Sequence, residues 1–342
     1  MVSNLTGLEA NAAASIGSCR ATFEQIAEAG GQTVRVDYLT AVADRFSPLD
    51  QKPTGPIVKV LMGAIEVGKI PGLTTTDGKP LNLSVGGIGT VMNDTWSAKA
   101  PKLAERGIET IAVTPLMRNI NKDKMKHVGQ VVVQIEGRPW EIQVYQYKMP
   151  GGGSLLFLEN ENISRRFDAI PLAGKNIYEM RDLPAGREGE LEKQRIWSAL
   201  SQATAKVYSL VKADAYIPQD GHLAPASYYI HRSGQQALTL APVLHNERYL
   251  DSFYTEPHQR DLAAGIWNVS KTDLNEYFSH GDHIVMTAAA IRTAERTGTY
   301  TAKSVANNTA RILNRDGLPP EAFPQIELFS RLAPEENFLA AS

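Results

Sequence analysis

One cysteine in 342 residues, Cys19, leaves the chain without an intrachain disulfide. It also leaves no thiolate cluster for a zinc knuckle or an iron–sulfur site. A reducing compartment is expected, the cytoplasm being its simplest form. Charge of one sign is missing too. Lys and Arg number 35 against 37 Asp and Glu, a formal net charge of −2. Nothing global draws the chain to nucleic acid or anionic lipid, and neither is expected as a partner. The most apolar window, 284–291, falls far short of the ~20 residues that cross a bilayer. Residues 1–18 have neither a basic start nor a continuous apolar stretch, so no signal peptide is expected. There is no repeat of fixed period. What is present, 43% hydrophobic and 21% charged residues, suits a soluble globular protein with a real core. The length allows two domains or one large α/β domain.

Periodicity and breakers organise the chain. Residues 1–55 read as a mostly helical N-terminal extension, closed by Pro48, Pro53 and Gly55. Residues 57–62 form a compact β-branched run that suits a buried parallel strand. A long loop carrying Gly68, Pro71, Gly72, Gly78 and Pro80 follows, ending in Ser84-Val85-Gly86-Gly87-Ile88-Gly89-Thr90. A helix through Trp96, Leu103 and Ala104 should close at Arg106-Gly107, and a second strand should run over 108–114. Such a β–loop–α–β unit builds a parallel sheet. Three short strands at 130–135, 141–147 and 154–158 read as antiparallel hairpins, parted by Gly137-Arg138-Pro139 and by Pro150 to Gly153. Ile196, Leu200, Ala203, Val207 and Leu210 mark one face of a helix over 190–211. A buried strand is expected at 237–244, and helices at 284–295 and 302–313. The Pro-rich 313–342 reads as a C-terminal tail.

The candidate chemistry begins with the glycine turn. Gly86, Gly87 and Gly89 before a helix let a ligand approach the backbone, and amides at a helix start favour an anion. The dinucleotide fingerprint fails, because its third glycine falls on Met92, and a nicotinamide oxidoreductase ranks last. Gly78-Lys79 is followed by Pro80, so there is no Walker loop, and no Gly-x-Ser-x-Gly elbow marks a hydrolase. His280-Gly281-Asp282-His283 invites a metal but lacks a third ligand, and no metal site is assigned. His222 follows Asp220-Gly221, and His245-Asn246 follows the 237–244 strand. Residues just past the carboxyl ends of parallel strands lie where α/β sheets bind ligands.

The order of these landmarks resembles a family. Lys59-Val60-Leu61 through Glu66-Val67, then Val85-Gly86-Gly87-Ile88-Gly89, Ala104-Glu105-Arg106-Gly107 and Val113-Thr114-Pro115 are similar to the opening of glycogen and starch synthases. Leu155 to Asn160, Arg165-Arg166-Phe167, Asp214 to His222 and Pro242 to Asn246 extend the resemblance over residues 56–312. It implies the N-terminal, acceptor-side domain of a GT-B glycosyltransferase: an α/β, Rossmann-like parallel-sheet domain with a small antiparallel insertion. A nucleotide sugar such as ADP-glucose or UDP-glucose would be the substrate, with retaining transfer of glucose to an α-glucan or other acceptor, without metal or cofactor. The implied catalytic residues are His222, Asp220 and His245. The implied donor-binding residues are Gly86, Gly87, Gly89, Ser84, Thr90, Asn246 and Glu66.

The sequence departs from the family pattern at three places. Ser84 stands where the family has a loop lysine, with Lys79 or Lys69 as possible substitutes, and Thr90 replaces an acidic residue. Gln219 and Gly221 replace the inner histidine and the tryptophan of the second motif. About 30 residues follow position 312, whereas a second Rossmann-like domain needs roughly 100 or more. A partner GT-B domain, in the same or another chain, is therefore expected, and this chain alone should transfer sugar poorly. The alternative reading is a catalytically degenerate half that binds carbohydrate or protein.

Overall fold

The computed structural model describes residues 58–84, 87–92, 100–105, 107–169, 180–235, 237, 240, 242–244, 252–297 and 303–304. The N-terminal extension 1–55 and the tail 313–342 lie outside the described residues. Of the strand expected at 237–244 only Val243–Leu244 is a strand, with 237, 240 and 242 irregular and 238, 239 and 241 outside the described residues. Four apolar runs form the parallel part of the sheet: β1 (Val58–Gly63), β4 (Ile108–Pro115), β7 (Ser154–Glu159) and β8 (Ala215–Pro218). All four run parallel, with Val60 opposite Thr110 on one side and Ala215 on the other. Val60, Leu61, Val113 and Leu155 are wholly buried, as strands covered on both faces must be.

The hairpin of β5 (Lys126–Ile135) and β6 (Arg138–Lys148) adds to β7 antiparallel, giving the order β5-β6-β7-β4-β1-β8. The Rossmann-like parallel sheet with an antiparallel insertion is thus present. Its details differ from the sequence reading. The strand at 154–158 belongs to the parallel set, so the insertion is two strands. The hairpin turn is Glu136-Gly137, at φ 51° and 72°, one residue earlier than the Gly137-Arg138-Pro139 breaker expected there, with Gly137 common to both. Positive φ at both central residues matches the right-handed strand twist. Pro139 is tolerated because its partner Gln134 turns its own N–H and C=O outward. They are met by the Gln202 side-chain amide at 3.2 and 2.9 Å, which blunts the edge strand.

The long loop before the glycine turn is itself a hairpin, β2 (Gly68–Thr74) with β3 (Pro80–Leu83). Ile70, Leu73, Leu81 and Leu83 are its buried face, a pattern masked in the sequence by Pro71, Gly72 and Pro80. Tyr147 Oη donates to Pro71 O at 2.7 Å and ties this hairpin to β6. Two short helices follow, α1 (Gly87–Met92) and α2 (Ala100–Glu105), and Gly107 closes the second at φ 76°. Trp96 lies outside the described residues.

After α3 (Glu161–Ser164), the main helix α4 (Arg187–Val211) buries Ile196, Leu200, Ala203 and Val207. Leu210, expected on the same face, is half exposed as the stripe leaves the core. The helices α5 (Ala226–Arg232), α6 (Arg260–Trp267) and α7 (Met286–Arg296) pack beyond it. The helix expected from residue 284 starts at Met286. Ile284 and Val285 instead belong to β12 (His283–Val285), which lies between β10 (Ser252–Tyr254) and β11 (Ser279–His280). A short apolar run fits strand or helix equally, and pairing with Phe253 and Ser252 decides it. Lys303–Ser304, expected to be helical, is a strand, β13, parallel to β9 (Val243–Leu244). No described helix is long and apolar enough to cross a membrane.

Candidate active site at the strand tips

The carboxyl ends of β1, β4, β7 and β8 share one edge of the sheet. Beyond β1 the chain turns through Ala64, Ile65 and Glu66, held by Ala64 N–H to Val113 O at 3.0 Å and by Thr114 Oγ1 to Ile65 O at 3.3 Å. Glu66 is only 2% exposed, and its carboxylate accepts the Gly89 amide at 3.2 Å. The glycine turn is therefore fastened to the tip of β1 by a buried carboxyl group.

Gly89 sits against Ser84. A Cβ at position 89 would collide with Ser84 Oγ and lie 2.8 Å from Ser84 Cα. Glycine is required here by close approach, not by an unusual φ. Gly87 is the first residue of α1, and Thr90 lies within that helix. The side chain of Thr90, and Gly86, His245 and Asn246 entirely, are outside the described residues.

The second motif hangs from the same strand end. The Gln219 amide donates to Gly63 O at 2.7 Å, continuing the β1–β8 pairing one residue past Pro218. Asp220 follows in the left-handed region at φ 58° and is wholly buried. His222 is 3% exposed, its ring centroid 4.8 Å from that of Trp197 on α4, which in turn lies 5.7 Å from Phe167. The imidazole thus forms part of the packed wall beneath the edge.

Gly63 makes this arrangement possible. A Cβ there would collide with Tyr216 Oη and lie 3.1 Å from Leu223 Cβ. Tyr216 Oη donates to Leu223 O at 2.8 Å, clamping the loop that carries Asp220 and His222. Complete burial pushes the Tyr216 hydroxyl well above its ordinary pKa, so it remains a donor at every working pH.

The structure thus brings Ser84, Glu66 and Gly89 together, and suspends Asp220 and His222 from the same strand, β1. Gly63, Tyr216 and Trp197 are site-building residues that sequence reasoning missed. A glycine closing a β-branched strand was the one local signal for Gly63. Lys79 lies in the β2–β3 turn. Its ammonium pairs with Asp77 at 2.8 Å, and this contact, with Thr75, holds the Asp77 carboxyl below its ordinary range. Lys69 is exposed on β2 opposite Asn82. Among the described residues no three His, Cys, Asp or Glu side chains gather to hold a metal ion. His280 and His283 are register partners in the backbone pairing of β11 with β12.

The family model of the starch synthase catalytic domain matches residues 59–307, which contain every element of this edge. The chain belongs to the starch synthase catalytic domain family. Among solved structures, this family member resembles the catalytic domain of starch synthase IV from Arabidopsis thaliana, bound to ADP and acarbose. They share 15% identity at a TM-score of 0.49, over 81% of this chain and 49% of that one. An α,α-trehalose-phosphate synthase (UDP-forming) from Burkholderia xenovorans, in complex with glucose-6-phosphate, shares 11% identity. Its TM-score is 0.29, over 61% of this chain and 36% of that one. The starch-synthase-family chain described here spans about half the length of the Arabidopsis structure. No curated protein matches it.

Proposed function

We propose that this chain is the acceptor-side domain of a retaining glucosyltransferase. Joined to a second GT-B domain, in the same or another chain, it helps move glucose from a nucleotide sugar such as ADP- or UDP-glucose to an α-glucan or other acceptor. The reading rests on family membership. One observation carries it further: the Glu66–Gly89 tie and the Gln219–Gly63 bond fasten both candidate motifs to one strand tip.

In the proposed reaction the bond between the glucosyl C1 and the diphosphate oxygen breaks. An acceptor hydroxyl oxygen bonds to C1 on the same face, and its proton passes to the departing diphosphate. The barrier is lowered by groups fixed in advance where charge develops. Glu66 acts as a positioning residue, holding the glycine turn that closes over the diphosphate. Asp220, His222 and His245 are the proposed catalytic residues, with the His222 imidazole hydrogen-bonding the glucosyl unit. His245, Asn246, Gly86, Gly87 and Thr90 complete the proposed lining.

The test is incorporation of labelled glucose into glycogen by the full-length protein, offered ADP-glucose and UDP-glucose in turn. Incorporation from at least one donor is expected. No incorporation from either, or from any other sugar nucleotide, contradicts the proposal.

A further inference from the structure

A cavity of about 570 Å³ lies at the far side of the same sheet edge. The β5–β6 turn supplies Glu136, Arg138 and Trp140, the segment around α3 supplies Asn162 and Arg165, and the first turns of α4 supply Glu192 and Arg195. Two strands, β4 and β1, separate β7 from β8, a span of about 14 Å at ordinary strand spacing. None of its lining residues takes part in the Glu66, Asp220 or His222 constellation.

The charges in this cavity divide into two groups. Arg195 is committed: it grips Glu136 with two bonds of 2.9 and 3.2 Å and reaches Glu188 at 2.6 Å. Glu192 is neutralised by buried Arg166 at 3.2 Å, with Arg195 at 3.6 Å. Arg138 and Arg165 are exposed and ion-paired to no described residue. The lining therefore has both carboxylates compensated and two guanidinium groups left over. Guanidinium forks match phosphate and carboxylate geometry.

Half-buried Trp140 gives the same cavity a flat apolar surface, and Asn162 and the two glutamates offer hydrogen-bond acceptors for hydroxyl groups. The volume is in the range of small-ligand sites. A ring with many hydroxyls and one anionic group fits all three features. A purine nucleotide offers too few donors for this set of acceptors, and a bare anion has nothing to lay on the indole.

We infer that this cavity binds a sugar carrying an anionic substituent, a phosphate or a carboxylate, with Arg138 and Arg165 holding the anion and Trp140 the ring. The inference does not depend on the transfer reaction proposed above. Calorimetric titration of the full-length protein tests it, with glucose 1-phosphate and glucuronate as ligands and glucose, inorganic phosphate and AMP as controls. Saturable binding of at least one sugar anion is expected, about tenfold or more tighter than any control. The tighter of the two identifies the anion. Arg138→Gln, Arg165→Gln and Trp140→Leu should each weaken it about tenfold or more, with unfolding transitions unchanged for the exposed arginines. Three results overturn the inference: no saturable binding of either sugar anion, a control that binds as tightly, or affinity indifferent to both arginine substitutions.

Discussion

Gly63→Ala should destabilise the domain by about 2–3 kcal/mol, a large effect for a single methyl group. The added Cβ meets Tyr216 Oη, the far end of a side chain that is wholly buried and already bonded to Leu223 O at 2.8 Å. Neither the ring nor the loop can yield without losing that bond. Tyr216→Phe alone should cost about 1 kcal/mol, the usual loss for an acceptor left without its donor. In the double variant the collision with Oη disappears, and the remaining neighbours at 3.1 Å need only a small adjustment. The pair should therefore cost less than the sum of its parts by about 1 kcal/mol or more in a denaturant-unfolding cycle. Additive costs would contradict the claim that Gly63 exists to admit the β8 clamp.

His222→Phe should separate chemistry from packing. The phenyl ring keeps the contact with Trp197, 4.8 Å away, and should hold stability within about 1.5 kcal/mol of the parent. It removes both ring nitrogens. If His222 hydrogen-bonds the glucosyl unit as proposed, transfer by the full-length protein should fall about a hundredfold, mainly in kcat. If the imidazole only fills the wall beside Trp197, the Phe variant should transfer at the parental rate, and His222 loses its proposed role. A fall in both activity and melting temperature would likewise assign the residue to packing.

Much of this was legible in the sequence because local rules and tertiary structure agree. The β-branched run of β1, the strand over 108–114 and the stripe of α4 each agree with the element they formed. Glu66, Ser84 and Gly89 were selected from landmark order, and the structure places them in contact. What stayed hidden depends on partners distant in sequence. The β2–β3 hairpin looked like a loop because Pro71 and Gly72 interrupt its alternation. Gly72 is needed both for φ 87° and because Tyr147, 75 positions later, packs there. Nothing local marks Trp197, which follows Ile196 on α4, as the partner of His222. The hairpin turn expected at Gly137-Arg138-Pro139 includes Gly137 but runs into β6, because Pro139 is the louder breaker, whereas the decisive feature is positive φ at Glu136 and Gly137.

The central claim is that the glycine turn and the His222 loop border one ligand site. Hydrogen exchange on the full-length protein, with and without ADP plus maltoheptaose, tests it most directly. The account predicts slower exchange in residues 84–92 and 219–223 together when both ligands are present. Protection elsewhere in the chain, with both segments exchanging as fast as in the free protein, would contradict it.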